Sequence, residues 1–279
     1  MTRLAARFSS PTSIRSDVPL TNDQIMRVAP SIFAEGAHHS RSERYTYIPT
    51  SEVLNGLREA GFHPFMAGQS RTRIADKREF TRHMLRLRHM DMFKDSDSTQ
   101  EIILINSHDG TSSYQLLHGV YRFVCMNGMV CGTTENEIRV HHKGNVANQV
   151  IDAAFEIVKD SGERQAVIQD MRETNMTPYQ QQAFAQAAIG VRFGEGSTTV
   201  QPHQVLRVNR YEDADDTQWN VFNRVQENIT RGGMIGRNRN NQQRRVREVT
   251  GLDKDTQINR HIWTLMQALR AEVGGRVAA

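Results

Sequence analysis

Apolar positions recur along this chain with two different periods, and the change from one to the other divides it. Ile25, Val28, Ala29 and Ile32 follow the helix start Thr21-Asn22-Asp23-Gln24 at helical spacing. Tyr45 to Ile48 reads as a short strand. A second helix then opens at Pro49-Thr50-Ser51-Glu52, with Thr50 or Ser51 as its cap and Pro49 just outside. Val53, Leu54, Leu57 and Ala60 form its buried stripe, and Gly61 ends it. From there the period falls to two. Strands are predicted at 62–69, 81–89, 101–106, 113–126 and 137–142, with Lys94 to Thr99 as a loop, Asp109-Gly110 as a turn and Asn127-Gly128 as a hairpin. Residues 62–142 therefore read as an antiparallel meander behind one helix.

The helical period returns at Asn145. Val146, Val150, Ala153, Ala154, Ile157 and Val158 mark one helix, and 166–173 continues it or forms another. Pro178 begins a further helix. Trp219, Phe222, Val225 and Ile229 line the inward face of one stopped by Arg231-Gly232-Gly233, and the last runs from about Asp255. The fold class is α+β: an antiparallel meander with a preceding helix, then a mostly helical C-terminal half. The expected division is a flexible basic arm at 1–20, an α+β sheet core at 21–144, and a helical region at 145–279 packed on that core.

Composition narrows the class. The 279 residues are 38% hydrophobic and 24% charged, with no apolar run of membrane-spanning length, and the N-terminus lacks the apolar segment of a signal peptide. Two cysteines, Cys125 and Cys131, read as strand residues of a protein in a reducing cytoplasm. The net charge of +4 decides nothing, so the placement of the charges carries the information.

Two basic segments stand out. Arg231, Arg237, Arg239, Arg244, Arg245 and Arg247 fall in a Gly- and Asn-rich loop, 231–247, with no acid among them. Guanidinium forks match phosphate geometry and stay charged. The plainer reading is a solvated loop. The second segment holds Arg71, Arg73, Lys77, Arg78, Arg82, Arg86 and Arg88 against two acids. On a strand over 81–89, Arg82, Arg86 and Arg88 share one face and Leu85 and Leu87 the other. Such a row can track a nucleic-acid backbone, or it can keep a sheet face from aggregating.

Catalytic motifs are weak. Ser107-His108-Asp109 are adjacent on an extended chain, where neighbouring side chains diverge instead of converging as a triad requires. The pairs His38-His39 and His141-His142 lack the alternating or four-residue spacing of metal ligands. No phosphate-binding loop, dinucleotide fingerprint or zinc-protease motif is present. No metal, cofactor or readable catalytic centre is expected.

The runs Ile105-Asn106-Ser107-His108-Asp109-Gly110-Thr111, Tyr121 to Gly128, and Trp219-Asn220-Val221-Phe222-Asn223-Arg224-Val225-Gln226-Glu227-Asn228-Ile229 with Arg231-Gly232-Gly233 resemble the phage/plasmid-like family of unknown function numbered 932. The resemblance covers roughly residues 20–272. It implies a mobile-element setting and carries over no catalytic residue. The order of helix 50–60 and the strands near 62–69, 80–89 and 101–106 also resembles, at the level of fold, the single-strand annealing proteins of the RecT, Erf and Rad type. That resemblance implies a ring or filament holding single-stranded DNA in a basic groove.

The expectation is a cytoplasmic DNA-binding protein of a mobile genetic element that binds and anneals single-stranded DNA as a homo-oligomer. One alternative is a counter-defence or regulatory factor that recognises a host protein. Another is a metal-dependent nuclease using His108 and Asp109.

Overall fold

The computed structural model describes residues 13–36, 47–72, 77, 79–92, 94–95, 97–123, 127–131, 137–141, 145–194, 196, 198–237 and 241–277. The chain forms two compact units, residues 1–123 with 135–161, and residues 124–134 with 162–279.

The first unit is built on an antiparallel sheet in the strand order β1 (Ser13–Arg15), β2 (His63–Gln69), β3 (His83–Arg88), β4 (Ser98–Asn106), β5 (Tyr114–Arg122), with β7 (Ile138–Val140) also paired to β5. The meander is the predicted one. β1 lies inside the segment read as a flexible arm, where it pairs with β2 from Ser13↔Gly68 to Arg15↔Met66. Three residues are too few for periodicity to register, and β2 supplies the ladder that holds them.

Helices cover one face of this sheet. α1 (Asn22–Val28) starts on a reciprocal capping box between Thr21 and Gln24, and Pro30 turns the chain into a short 3₁₀ segment. α2 (Thr50–Glu59) buries Thr50, Val53, Leu54 and Leu57. It differs from expectation at its start: Pro49 is the N-cap residue, without a side-chain cap, and Thr50 is already helical. α3 (Val146–Lys159), capped by Asn145, completes this layer. Leu54, Leu57, Val150 and Ala154 pack with Leu85, Leu87, Ile102, Leu104 and Leu116 in one core. On the other face Met84, Arg86, Ile103, Ile105 and Leu117 are buried as well. Every residue of β4 is buried, which explains its continuous apolar run.

The second unit contains β6 (Asn127–Val130), α4 (Ser161–Glu173, its first residue belonging to the first unit), α5 (Pro178–Phe193), α6 (Pro202–Val205), α7 (Gln218–Arg231), β8 (Ile235–Arg237), β9 (Gln243–Arg245) and α8 (Leu252–Val277). The hairpin expected at Asn127-Gly128 is corrected: both residues open β6. α7 is the central helix, with twelve buried residues in fourteen. Its Phe222 stacks on Trp219 and Phe184 and meets Trp263 of α8 edge to face at 5.6 Å. No described helix is long and apolar enough to cross a membrane.

Candidate nucleic-acid interface

The basic strand has the predicted facing, and its arginines are largely engaged within the fold. Arg86 is 2% exposed and lies 3.4 Å from the carboxylate of the fully buried Glu101. Arg88 donates from Nε to the same carboxylate at 2.9 Å, and its guanidinium lies 4.2 Å from the Phe65 ring centroid and 4.8 Å from that of Tyr121. Arg82, half-buried, donates to Gln115 at 2.8 Å. Arg71 is exposed and Lys77 half-buried, whereas Arg73 and Arg78 lie outside the described residues. The strand thus supplies internal ion pairs, and the carboxylate that answers them sits on the neighbouring strand, in β4.

The turn 107–111 separates its three suspected residues. Asp109 accepts from the Thr111 amide at 3.0 Å and from its hydroxyl at 2.6 Å. Burial pulls the Asp109 carboxyl up, but these bonds, Ser107 and the charge of Lys77 together hold it below its ordinary range. Ser107 bonds the Ser112 amide at 2.8 Å. His108 is fully buried and turns inward.

There it joins a polar cluster that sequence reasoning missed. The Thr50 hydroxyl oxygen lies 2.9 Å from His83 Nε2, 3.1 Å from His108 Nε2, 3.0 Å from Asn106 Nδ2 and 3.2 Å from the Tyr114 hydroxyl. His83 Nδ1 lies 2.9 Å from Ser31 Oγ and 3.2 Å from the Thr81 carbonyl. A carbonyl only accepts, so a proton on His83 Nδ1 fits, leaving Nε2 to accept from Thr50. The remaining lone pairs of Thr50 then take Asn106 and an N–H of His108. Burial, followed by the neighbouring His108, holds His83 well below the ordinary histidine range, against the Thr81 carbonyl. All these side chains are closed to solvent. The cluster fixes the start of α2 to the ends of β3, β4 and β5. Only convergence in space could reveal it, because its members are scattered from Ser31 to Tyr114.

The Arg-rich segment has a form that composition did not predict. Within it β8 and β9 form a ribbon, paired as Ile235↔Arg245, Gly236↔Arg244 and Arg237↔Gln243. Arg237, Arg244, Arg245 and Arg247 are exposed, and Arg239 lies outside the described residues. Arg231 is drawn back to Glu227 at 2.7 Å, and Arg210 pairs with the same carboxylate. Burial raises the Glu227 carboxyl, but Arg210 and Arg231 outweigh it and hold the group below its ordinary range.

The end of α7 is the socket of this ribbon. Asn228 donates to the carbonyls of Val205 and Arg207 at 2.8 and 2.9 Å. Gly232 has φ +70°, and a Cβ there would fall 2.7 Å from the carbonyl oxygens of both Val246 and Arg247. Gly233 donates its amide to Val246 at 2.8 Å, and Arg192 bonds the carbonyls of Thr230 and Arg247. The run from Trp219 to Gly233 is therefore the buried helix and tight exit from which the basic ribbon projects.

Among the described residues no group of three or more His, Cys, Asp or Glu is placed to hold a metal. Cys131 is buried, and Cys125 lies outside the described residues, as do His38, His39 and His142.

No solved structure matches the chain, so the likeness to annealing proteins gains no support from that comparison. Two curated proteins of Escherichia coli (strain K12), UPF0380 protein YafZ and UPF0380 protein YfjQ, are each 45% identical over 273 residues. Each alignment covers 98% of this chain and the whole of the relative. The model of the Domain of unknown function (DUF932) matches residues 37–263, from before α2 to within α8, and so takes in the sheet from β2 onward and the socket with its ribbon. This chain belongs to the DUF932 family.

Proposed function

We propose that this protein binds single-stranded DNA, in the setting of a mobile genetic element, through the arginine ribbon 235–247. The observation that carries this reading is the exposure of Arg237, Arg244, Arg245 and Arg247 on one short segment with no acid between 231 and 247. Held by α7, the ribbon presents its guanidinium groups with less ordering cost than a free loop. Binding that rests on phosphate contacts is strong at low salt and weakens as salt displaces it.

Fluorescence anisotropy with labelled single strands and duplexes, over a range of salt, tests the proposal. The fourfold Arg→Ala variant at 237, 244, 245 and 247 is expected to bind single strands at least about tenfold more weakly. Mass photometry of the same mixtures reads whether a homo-oligomer forms on the strand. An unchanged affinity in the variant, or no binding by the parent protein at low salt, defeats the reading.

A further inference from the structure

The ribbon does not stand alone. A groove of about 840 Å³ runs along the outer face of α5, and its far wall is the segment 198–201. Ala183, Gln186, Ala187 and Gly190 form the helical side. Ala183, Gln186 and Ala187 are exposed. Thr198, Val200 and Gln201 form the wall. The same wall carries the ribbon. The amide of Arg237 donates to Thr199 Oγ1 at 2.7 Å, and Gln204 donates to the Ile235 carbonyl at 3.0 Å. A Cβ on Gly236 would lie 3.3 Å from Val200 Cγ2 and 3.6 Å from Thr198 Oγ1, so β8 packs closely against it. Directly paired residues of an antiparallel ribbon project to one face. Arg244, opposite Gly236, is therefore on the face that meets the groove wall.

We infer that this groove receives unpaired nucleobases of the strand whose phosphates the ribbon holds. The inference rests on the nucleic-acid reading of the ribbon and adds that bases contribute to binding. Among the described residues its lining carries no acid to repel a phosphodiester and no base to hold one, and Glu195, between the lining glycines 194 and 196, lies outside them. Small side chains leave the volume open, and the carboxamides of Gln186 and Gln201 can each donate to and accept from a base edge. Phosphates then lie outside, on Arg244 and its neighbours. A duplex, whose base edges are paired and stacked, cannot fill the groove.

Gly190 gives a clean test, because a Cβ there meets nothing within 4 Å and its φ is helical. Gly190→Phe projects a ring into the groove from a Cβ position that meets nothing within 4 Å. Ala187→Phe, at an exposed position, is the second variant, and a thermal melt reports the fold of both. Anisotropy is measured with a thymidine oligomer and with an abasic strand of equal phosphate count. The parent protein is expected to favour the thymidine strand by about tenfold. In both variants this preference falls toward unity while abasic affinity stays within about twofold. The Arg→Ala ribbon variant, by contrast, loses both strands.

A base preference that survives both folded groove variants overturns the inference and leaves the ribbon reading intact. A change in oligomeric state with an unchanged base preference also overturns it, and assigns the groove to a second copy of the chain. Absence of binding by the parent protein to either strand overturns both readings.

Discussion

Glu101 answers two arginines from a position with no exposure, so its charge is the term that lets Arg86 and Arg88 remain inside the sheet. Removing one partner of a buried ion pair leaves the other uncompensated, at a cost of about 3–5 kcal/mol. Glu101→Gln is expected to destabilise the protein on that scale, read as a lower urea midpoint. His83 makes a second prediction at this scale. Its folded pKa lies well below its unfolded one, so the unfolded state binds the proton first. The contribution of the neutral ring is complete above the unfolded pKa of about 6.5. It is lost as pH falls below that value, by up to about 1.4 kcal/mol per pH unit. Urea titrations at decreasing pH should show this slope, and His83→Gln should flatten it. A slope identical in parent and variant would remove His83 as its source. Neither residue announces its role along the chain. Arg86 and Glu101 are fifteen positions apart and become neighbours only through the register that pairs Arg86 with Ile103.

Elements differ in how much of them local chemistry specifies. α5 begins on Pro178, the start its sequence predicts, and there a capping box joins Thr177 and Gln180, while Thr217 caps α7. The ribbon is different. Its strands have three residues each, with polar and glycine positions that carry no alternation, and their pairing depends on Thr199, Gln204 and the turn at Gly232. Two glycines should therefore behave oppositely. Gly232→Ala forces a Cβ against two backbone carbonyls at positive φ and should cost about 1–3 kcal/mol. It should also expose 233–247 to a protease that cuts after arginine. Gly190→Ala lies in open space within a helix and should leave the fold unharmed or stabilise it by about 0.5–1 kcal/mol. Thermal melts of the two variants compare them directly.

The whole molecule carries a net charge of only +4, so long-range attraction to a polyanion is modest and binding depends on where arginines project. If Arg237, Arg244, Arg245 and Arg247 each neutralise one phosphate of a single strand, log K should fall with log salt at a slope of about −3. A slope near zero would exclude them as phosphate contacts. The sequence by itself determined the α+β class, the meander, the starts of α1, α3 and α5, and the family, because periodicity, caps and turn residues act over a few positions. It also marked the arginines as a composition. Only the tertiary structure decided which of them face solvent. The strand arginines meet Glu101 on β4 and Gln115 on β5, and Arg231 is held by Glu227. Four arginines of the ribbon remain exposed on an element fixed from outside. The physical reason is that a charge is solvated or paired by what lies near it in space, and those neighbours come from distant parts of the chain.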